Sequence, residues 1–111
     1  MIIHLKYFIP KSFSAFTFYP FIFIRNKVDT TNITLIHHEK IHLKQQVELL
    51  IVFFFLVYFL EFCWNFIRYK SWMKAYHNIG FEKEAYQNEA HQDYIKTRKP
   101  YSFLKFHFSS N

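Results

Sequence analysis

His38, Glu39 and His42 form the sequence H-E-x-x-H, the pattern in this chain with the clearest chemical meaning. Four residues make slightly more than one turn of an α-helix, so both imidazoles project from one face if the segment is helical. Two imidazoles on one face can bind a single Zn²⁺, and the glutamate beside them is then placed to act as a general base in hydrolysis. The spacing therefore predicts His38 and His42 as metal ligands and Glu39 as the catalytic residue.

The residues around this motif have the pattern of a helix. Asn32 is suited to cap its first turn, because the side-chain oxygen can accept a hydrogen bond from a free backbone N–H group. The sequence contains no Pro or Gly between Ile33 and Ile79. Apolar residues recur at spacings of three, four and seven, at Ile36, Leu43, Val47 and Leu50. The motif is thus predicted to lie on a helix, as the chemistry requires.

A zinc hydrolase of this type needs a third protein ligand and an open coordination position for water. Several downstream residues carry a suitable imidazole or carboxylate group: His77, Glu82, Glu84, Glu89 and His91. The sequence also does not select the residue that would donate a hydrogen bond to a developing oxyanion; the candidates are His77, Tyr86, His91 and Arg98.

The segments HEKIH and FEKEAYQNE resemble the motifs of the gluzincin metallopeptidases, in which a glutamate on a second helix completes the zinc site. Within that clan the chain is most similar to the membrane-embedded prenyl-protein and heat-shock proteases and to the sensor-transducer peptidases of antibiotic resistance. Their second motif reads E-x-x-A-D or close to it; Glu82 and Ala85 match it, and Tyr86 stands where Asp is usual. The resemblance covers about residues 35–89. It implies Zn²⁺ as cofactor, Glu82 as the third ligand, and a peptide or protein substrate.

Helical spacing provides a check on the choice between the two glutamates. Glu82 shares a face with Ala85, Tyr86 and Glu89, and the small Ala85 permits close approach to a neighbouring helix. Glu84 lies on a different face. We therefore predict Glu82 as the ligand and keep Glu84 as the alternative.

The apolar run from Leu49 to Leu60 contains 12 uncharged residues, too few to span a bilayer. One straight helix over residues 45–68 would separate Glu82 from the histidines, so the segment must turn back. We predict a helical hairpin with one arm near Val47–Leu60 and the other near Phe62–Tyr76. Basic residues flank the run on both sides, as expected when both ends face one anionic surface: Lys40, Lys44, Arg68, Lys70 and Lys74.

The predicted fold is a single α+β domain, residues 1–111, with helices in the majority. Residues 1–32 contain short antiparallel strands and a loop, with one strand in Ile2–Ile9 and others on either side of Pro20, which cannot donate to a ladder. Residues 33–77 form the active-site helix and the apolar hairpin. Residues 78–99 form the ligand helix, from about Phe81 to Lys96, and residues 100–111 form an aromatic and basic tail.

Composition limits the partners. A formal net charge of +6, a pI near 9.5 and 23% aromatic residues are compatible with an anionic membrane surface. Nucleic acid is not a predicted partner, since no recognition motif accompanies the charge. The single cysteine excludes an intrachain disulfide scaffold. We expect a membrane-associated zinc metallopeptidase, at the cell membrane, with a soluble cytoplasmic location as the alternative. The alternative function is a non-catalytic membrane-associated or metal-binding protein.

Overall fold

The computed structural model describes residues 2–5 and 13–107 and has the predicted α+β fold, with a small N-terminal sheet followed by helices. The strands are β1 (Ile2–His4), β2 (Ala15–Phe18) and β3 (Phe21–Ile24), and a 3-10 turn at Lys27–Thr31 follows them. The helices are α1 (Ile33–Glu48), α2 (Val52–Tyr69), α3 (Trp72–His77), α4 (Gly80–Asn88), α5 (Tyr94–Thr97) and α6 (Leu104–His107).

The sheet has the strand order β1-β3-β2, so β2 is an edge strand. Pro20 separates β2 from β3, which pair antiparallel as predicted. The antiparallel pairing predicted for the first strand is wrong: β1 runs parallel to β3, with Ile3 opposite Phe23. Alternation of apolar residues identifies a strand, but whether it pairs parallel or antiparallel depends on the segment that connects it to its neighbour. Residues 6–9 of that predicted strand lie outside the described residues.

Helix α1 begins where the sequence predicts, because the Asn32 side chain accepts a hydrogen bond from the backbone N–H of Leu35 at 3.1 Å. One side of α1 packs against β2 and another against α4. The face with the H-E-x-x-H motif is thus enclosed between the edge of the sheet and the helix that follows the apolar segment.

The predicted position of the apolar hairpin turn is wrong. Helix α2 continues without a break through residues 60–62, and the chain turns before and after it, with left-handed backbone conformations at Leu50, Ile51 and Lys70. Glu61, directly after the apolar run, lies within α2, and its carboxylate accepts a hydrogen bond from the Gly80 N–H at 2.9 Å. Helix α3 then packs back against α2, and α4 returns to α1.

Helix α4 is shorter than the segment Phe81–Lys96 predicted for it. The carbonyl oxygen of Glu89 accepts a hydrogen bond from Nδ1 of His37 at 3.0 Å, which directs the carbonyl toward α1 where the helix ends. Helix α4 is fixed at its other end by a core of Phe54, Ile79, Phe81 and Phe103. Its position along α1, and hence that of Glu82, is set from both ends.

Candidate metal centre

Helix α1 holds the three residues of the motif on its enclosed side. His38, Glu39 and His42 are all buried, and one potential ligand atom from each lies within 4.8 Å of the other two. Burial of three ionisable groups on one helix is costly unless partners satisfy them. The groups that contact these three side chains therefore indicate which ligand the site can bind.

Glu82 enters the site from the first turn of α4. Its Oε1 lies 3.2 Å from Nε2 of His38 and 3.1 Å from Nε2 of His42. Ligand atoms bound tetrahedrally at typical zinc distances are separated by about 3.4 Å, so these spacings fit a shared metal ion without rearrangement of the backbone. The donor set of two imidazole nitrogens and one carboxylate oxygen fits Zn²⁺ equally well.

The remaining polar atom of each of these side chains is held by a neighbour. Nδ1 of His42 donates to Oε1 of Gln45 at 2.7 Å, and Nδ1 of His38 donates to Oε2 of Glu89 at 3.1 Å. The Tyr58 hydroxyl donates to Oε2 of Glu82 at 2.7 Å. Because Nδ1 of each histidine donates, loss of a proton from Nε2 leaves there the lone pair that binds metal. The two Nε2 atoms and Oε1 of Glu82 therefore converge on one place.

The electrostatics of the site favour a cation. Burial alone would lower the pKa of His42, but the adjacent Glu82 carboxylate outweighs burial and raises it to about 9. Burial would conversely raise the pKa of Glu82, but His42 and His38 hold it well below its ordinary value. Glu82 is therefore ionised in the protein interior, and a divalent cation can take the place of the proton that His42 otherwise carries.

Glu39 is held separately from the three convergent atoms. The hydroxyl of Thr17, on edge strand β2, donates to Oε1 of Glu39 at 2.5 Å, and Oε2 lies 4.0 Å from Nε2 of His38. Both oxygens are thus within a few ångströms of the site, yet Glu39 is not enclosed by the imidazoles as Glu82 is. A carboxylate in this position could act as a general base beside a metal ion held by the other three side chains.

Glu84, the alternative ligand, faces away from the histidines. Its carboxylate accepts hydrogen bonds from Nε2 of Gln45 at 2.8 Å, from Nε of Arg98 at 2.6 Å, and from the Tyr94 hydroxyl. Arg98 also binds Glu48, with Nη1 2.6 Å from its Oε2. Burial would lower the pKa of Arg98, but the two carboxylates raise it. Glu84 and Arg98 therefore form an ion cluster behind Gln45, and Arg98 is not placed to stabilise an oxyanion.

A cavity of about 610 Å³ lies beside Glu39, His42 and Glu82. Apart from these groups its walls are mostly aromatic and aliphatic, and they include Phe16, Phe23, Phe54, Phe55 and Tyr76. The Tyr76 hydroxyl lies 3.2 Å from that of Tyr86, whose ring packs edge-on against His38 at a centroid distance of 4.4 Å. Among the four oxyanion candidates, Tyr86 packs against a histidine of the motif, although it is 40% exposed.

The structure brings together His38, Glu39, His42 and Glu82, the four site residues predicted from sequence. It adds Thr17 and Tyr58, which the sequence patterns did not single out as partners. From the sequence, Gln45 could orient a zinc ligand, but the favoured interpretation is an ordinary amide on the helix surface. That interpretation is wrong, because Gln45 is buried and its Oε1 accepts from Nδ1 of His42. Thr17 and Tyr58 come from other elements, and no local pattern marks them. Glu89, considered as a ligand, instead orients His38.

No protein-family model, curated protein or solved structure matches this chain. The geometry and chemistry of the site are therefore the basis for an inference about function.

Proposed function

We propose that this protein is a zinc-dependent peptidase with His38, His42 and Glu82 as metal ligands and Glu39 as general base. The observation that carries the proposal is the convergence of two Nε2 atoms and Oε1 of Glu82, while the other polar atom of each side chain is occupied. An ion pair with Glu82 needs one histidine, whereas a metal ion uses the two that converge here. The resemblance of both motifs to those of gluzincins points the same way.

A Zn²⁺ ion bound by these residues would supply a Lewis acid that acidifies water and polarises a peptide carbonyl. Glu39 accepts the proton from the attacking water and returns it to the leaving amine. The hydrogen bond from Thr17 leaves Oε2 of Glu39 as the oxygen available for this transfer. The Tyr58 hydroxyl keeps Oε2 of Glu82 occupied, which restricts that residue to binding through Oε1.

The edge of β2 supports an extended peptide as the substrate. The Ser14 carbonyl accepts a hydrogen bond from the Arg25 N–H, so by alternation the backbone groups of Ala15 and Thr17 point away from β3. The Thr17 carbonyl already accepts from Nε2 of Gln46 at 2.7 Å, so a peptide would pair with this edge at Ala15. Ala15 and Thr17 also line the cavity beside Glu39. A peptide that pairs with this edge at Ala15 would pass the site, with an apolar side chain in the aromatic part of the cavity.

Metal content tests the first part of the proposal. Purified protein should bind about one Zn²⁺ per chain, and His38→Ala or His42→Ala should abolish tight binding, because a site with one ligand removed does not hold zinc firmly. His91→Ala is the matched control: this histidine is exposed and distant from the motif in sequence, so zinc content should not change. Absence of zinc from the wild-type protein after zinc supplementation would refute the enzyme proposal.

Glu39→Gln separates catalysis from binding. The variant should retain zinc and lose at least about a hundredfold in kcat on a fluorogenic peptide with bulky apolar residues, because it keeps the shape of Glu39 without its basicity. Glu82→Gln should weaken zinc binding itself. If the wild-type protein and Glu39→Gln both bind zinc and neither hydrolyses any peptide, the protein is instead a non-catalytic metal-binding protein.

A further inference from the structure

Helix α2 carries a continuous apolar surface that faces out of the protein. Only Phe54 and Asn65 of its 18 residues are buried. At 100° per residue, six of the exposed apolar side chains fall within one arc of about 120° that contains no charged group. This surface, called here the α2 face, consists of Val52, Phe53, Leu56, Leu60, Trp64 and Ile67, each between 49% and 72% exposed.

Three polar residues of α2 point the other way, into the protein. Glu61 accepts from the Gly80 N–H, Asn65 donates to the Ala75 carbonyl at 3.2 Å, and Tyr58 donates to Glu82. A helix on the surface of a water-soluble domain has the opposite arrangement, with its apolar side inward. The α2 face is also contiguous, with six apolar side chains that are each about half or more exposed, and large contiguous apolar patches mark interaction sites. Its normal surroundings are therefore not water alone.

The C-terminal end of the α2 face has the groups that interact with lipid headgroups. Both tryptophans of the sequence are exposed there, Trp64 at 62% and Trp72 at 56%. Arg68, Lys70 and Lys74 are exposed at the same end. Tryptophan favours the boundary between headgroups and acyl chains, and basic side chains are attracted to anionic lipids.

We propose that the α2 face binds an anionic lipid bilayer, with α2 in the plane of one leaflet. A bilayer supplies hydrocarbon for the apolar arc and negative charge for the basic end, whereas a second copy of this chain brings another net charge of +6. This inference does not depend on the proposed zinc chemistry.

The packing of α2 distinguishes an in-plane helix from one that spans. Helix α2 has the length and composition to cross a membrane. It contacts α3 and α4 at successive levels, through Asn65, Glu61 and Tyr58, so a spanning orientation would carry the ion cluster of Glu84 and Arg98 toward the hydrocarbon layer. Ionic groups at that depth are costly. In the in-plane orientation the α2 face alone enters the lipid and the polar body remains in water.

Vesicle binding tests the proposal. Wild-type protein should bind vesicles of equimolar phosphatidylglycerol and phosphatidylcholine, and lipids brominated near the headgroup should quench its tryptophan fluorescence more than lipids brominated at the chain ends. The double variant L60E/I67E should bind at least about tenfold more weakly, because two charges replace the apolar contact. I33E is the matched control: Ile33 is 66% exposed and Ile67 is 68% exposed, but Ile33 begins α1 and is not on the α2 face.

A second pair of variants tests the charge. K70Q/K74Q should weaken binding to the anionic vesicles about thirtyfold, and K96Q/K99Q, which removes two exposed lysines elsewhere, should have a much smaller effect. Equal binding by wild type and L60E/I67E would overturn the proposal. The proposal would also be overturned if neither protein bound vesicles and the wild type formed a dimer that L60E/I67E disrupts, since the α2 face would then bind a second copy. Stronger quenching from the chain ends would overturn the in-plane orientation.

Discussion

Gln45 links the two halves of the candidate site. Its Oε1 accepts from Nδ1 of His42, and its Nε2 donates to Glu84 and to the carbonyl oxygen of Phe81. Because the two ends of an amide differ, these partners fix its orientation, and the orientation in turn fixes the tautomer of His42. Glu84 therefore acts on His42 through Gln45, and Arg98 and Tyr94 keep Glu84 in place.

Replacement of Gln45 by Leu should weaken zinc binding about 10- to 100-fold, because Nδ1 of His42 loses its acceptor and the imidazole loses its preferred orientation. Isothermal titration of metal-free protein with Zn²⁺ measures the change. Gln46→Leu is a close control, since Gln46 is as buried as Gln45 but binds the backbone of Thr17 and Tyr19 instead of a histidine. Equal losses of affinity in the two variants would show that Gln45 acts only through general packing.

At the scale of elements, the start of α4 depends on the only glycine in the chain. A Cβ atom at Gly80 would lie 2.5 Å from the ring of His107, which closes over this point from α6. The same ring pairs with Glu61 through Nδ1 at 2.7 Å, and Glu61 accepts from the Gly80 N–H. Helices α2, α4 and α6 thus meet at Gly80, two residues before Glu82.

Gly80→Ala should lower the free energy of unfolding by about 1–3 kcal/mol, because the added methyl group forces His107 away from Glu61. Urea unfolding measures it. His107→Ala alone should also destabilise the protein, but it leaves room for the methyl group, so the cost of G80A should be smaller in the H107A background. Strictly additive effects would contradict the steric explanation.

The secondary-structure elements could be predicted where residues close in sequence determine them. The cap at Asn32 and the helix with the H-E-x-x-H motif depend on neighbours in sequence, and the structure has both. The end of α1 was not predictable, because the turn there uses Leu50 and Ile51 in left-handed conformations that these residues rarely adopt. The predicted turn between Leu60 and Phe62 is wrong for a related reason: no Gly or Pro marks a turn there, and the contact of Glu61 with the start of α4 depends on the tertiary fold.

At the scale of the whole molecule, the residues that complete the site come from distant parts of the chain. Thr17 is 22 residues before Glu39, and Tyr58 is 24 residues before Glu82. The order of the strands and the return of α4 to α1 bring them together, and neither follows from the spacing of the motif. Sequence predicted the groups that would bind metal and resemblance chose between Glu82 and Glu84, whereas the groups that hold them depend on the tertiary fold.

Because His38 and His42 lie on α1 and Glu82 lies on α4, zinc bound at this site would connect two separate helices. Such a ligand stabilises the folded state by an amount that grows with its free concentration, about 4 kcal/mol at a thousand times Kd. We expect the urea midpoint to rise with free Zn²⁺ in the wild-type protein and to fall on addition of EDTA, with the same response in H91A. H42A should show little dependence on zinc. A comparable zinc response in H42A would mean that the metal binds elsewhere, and no response in the wild type would mean that the convergent ligands do not hold zinc.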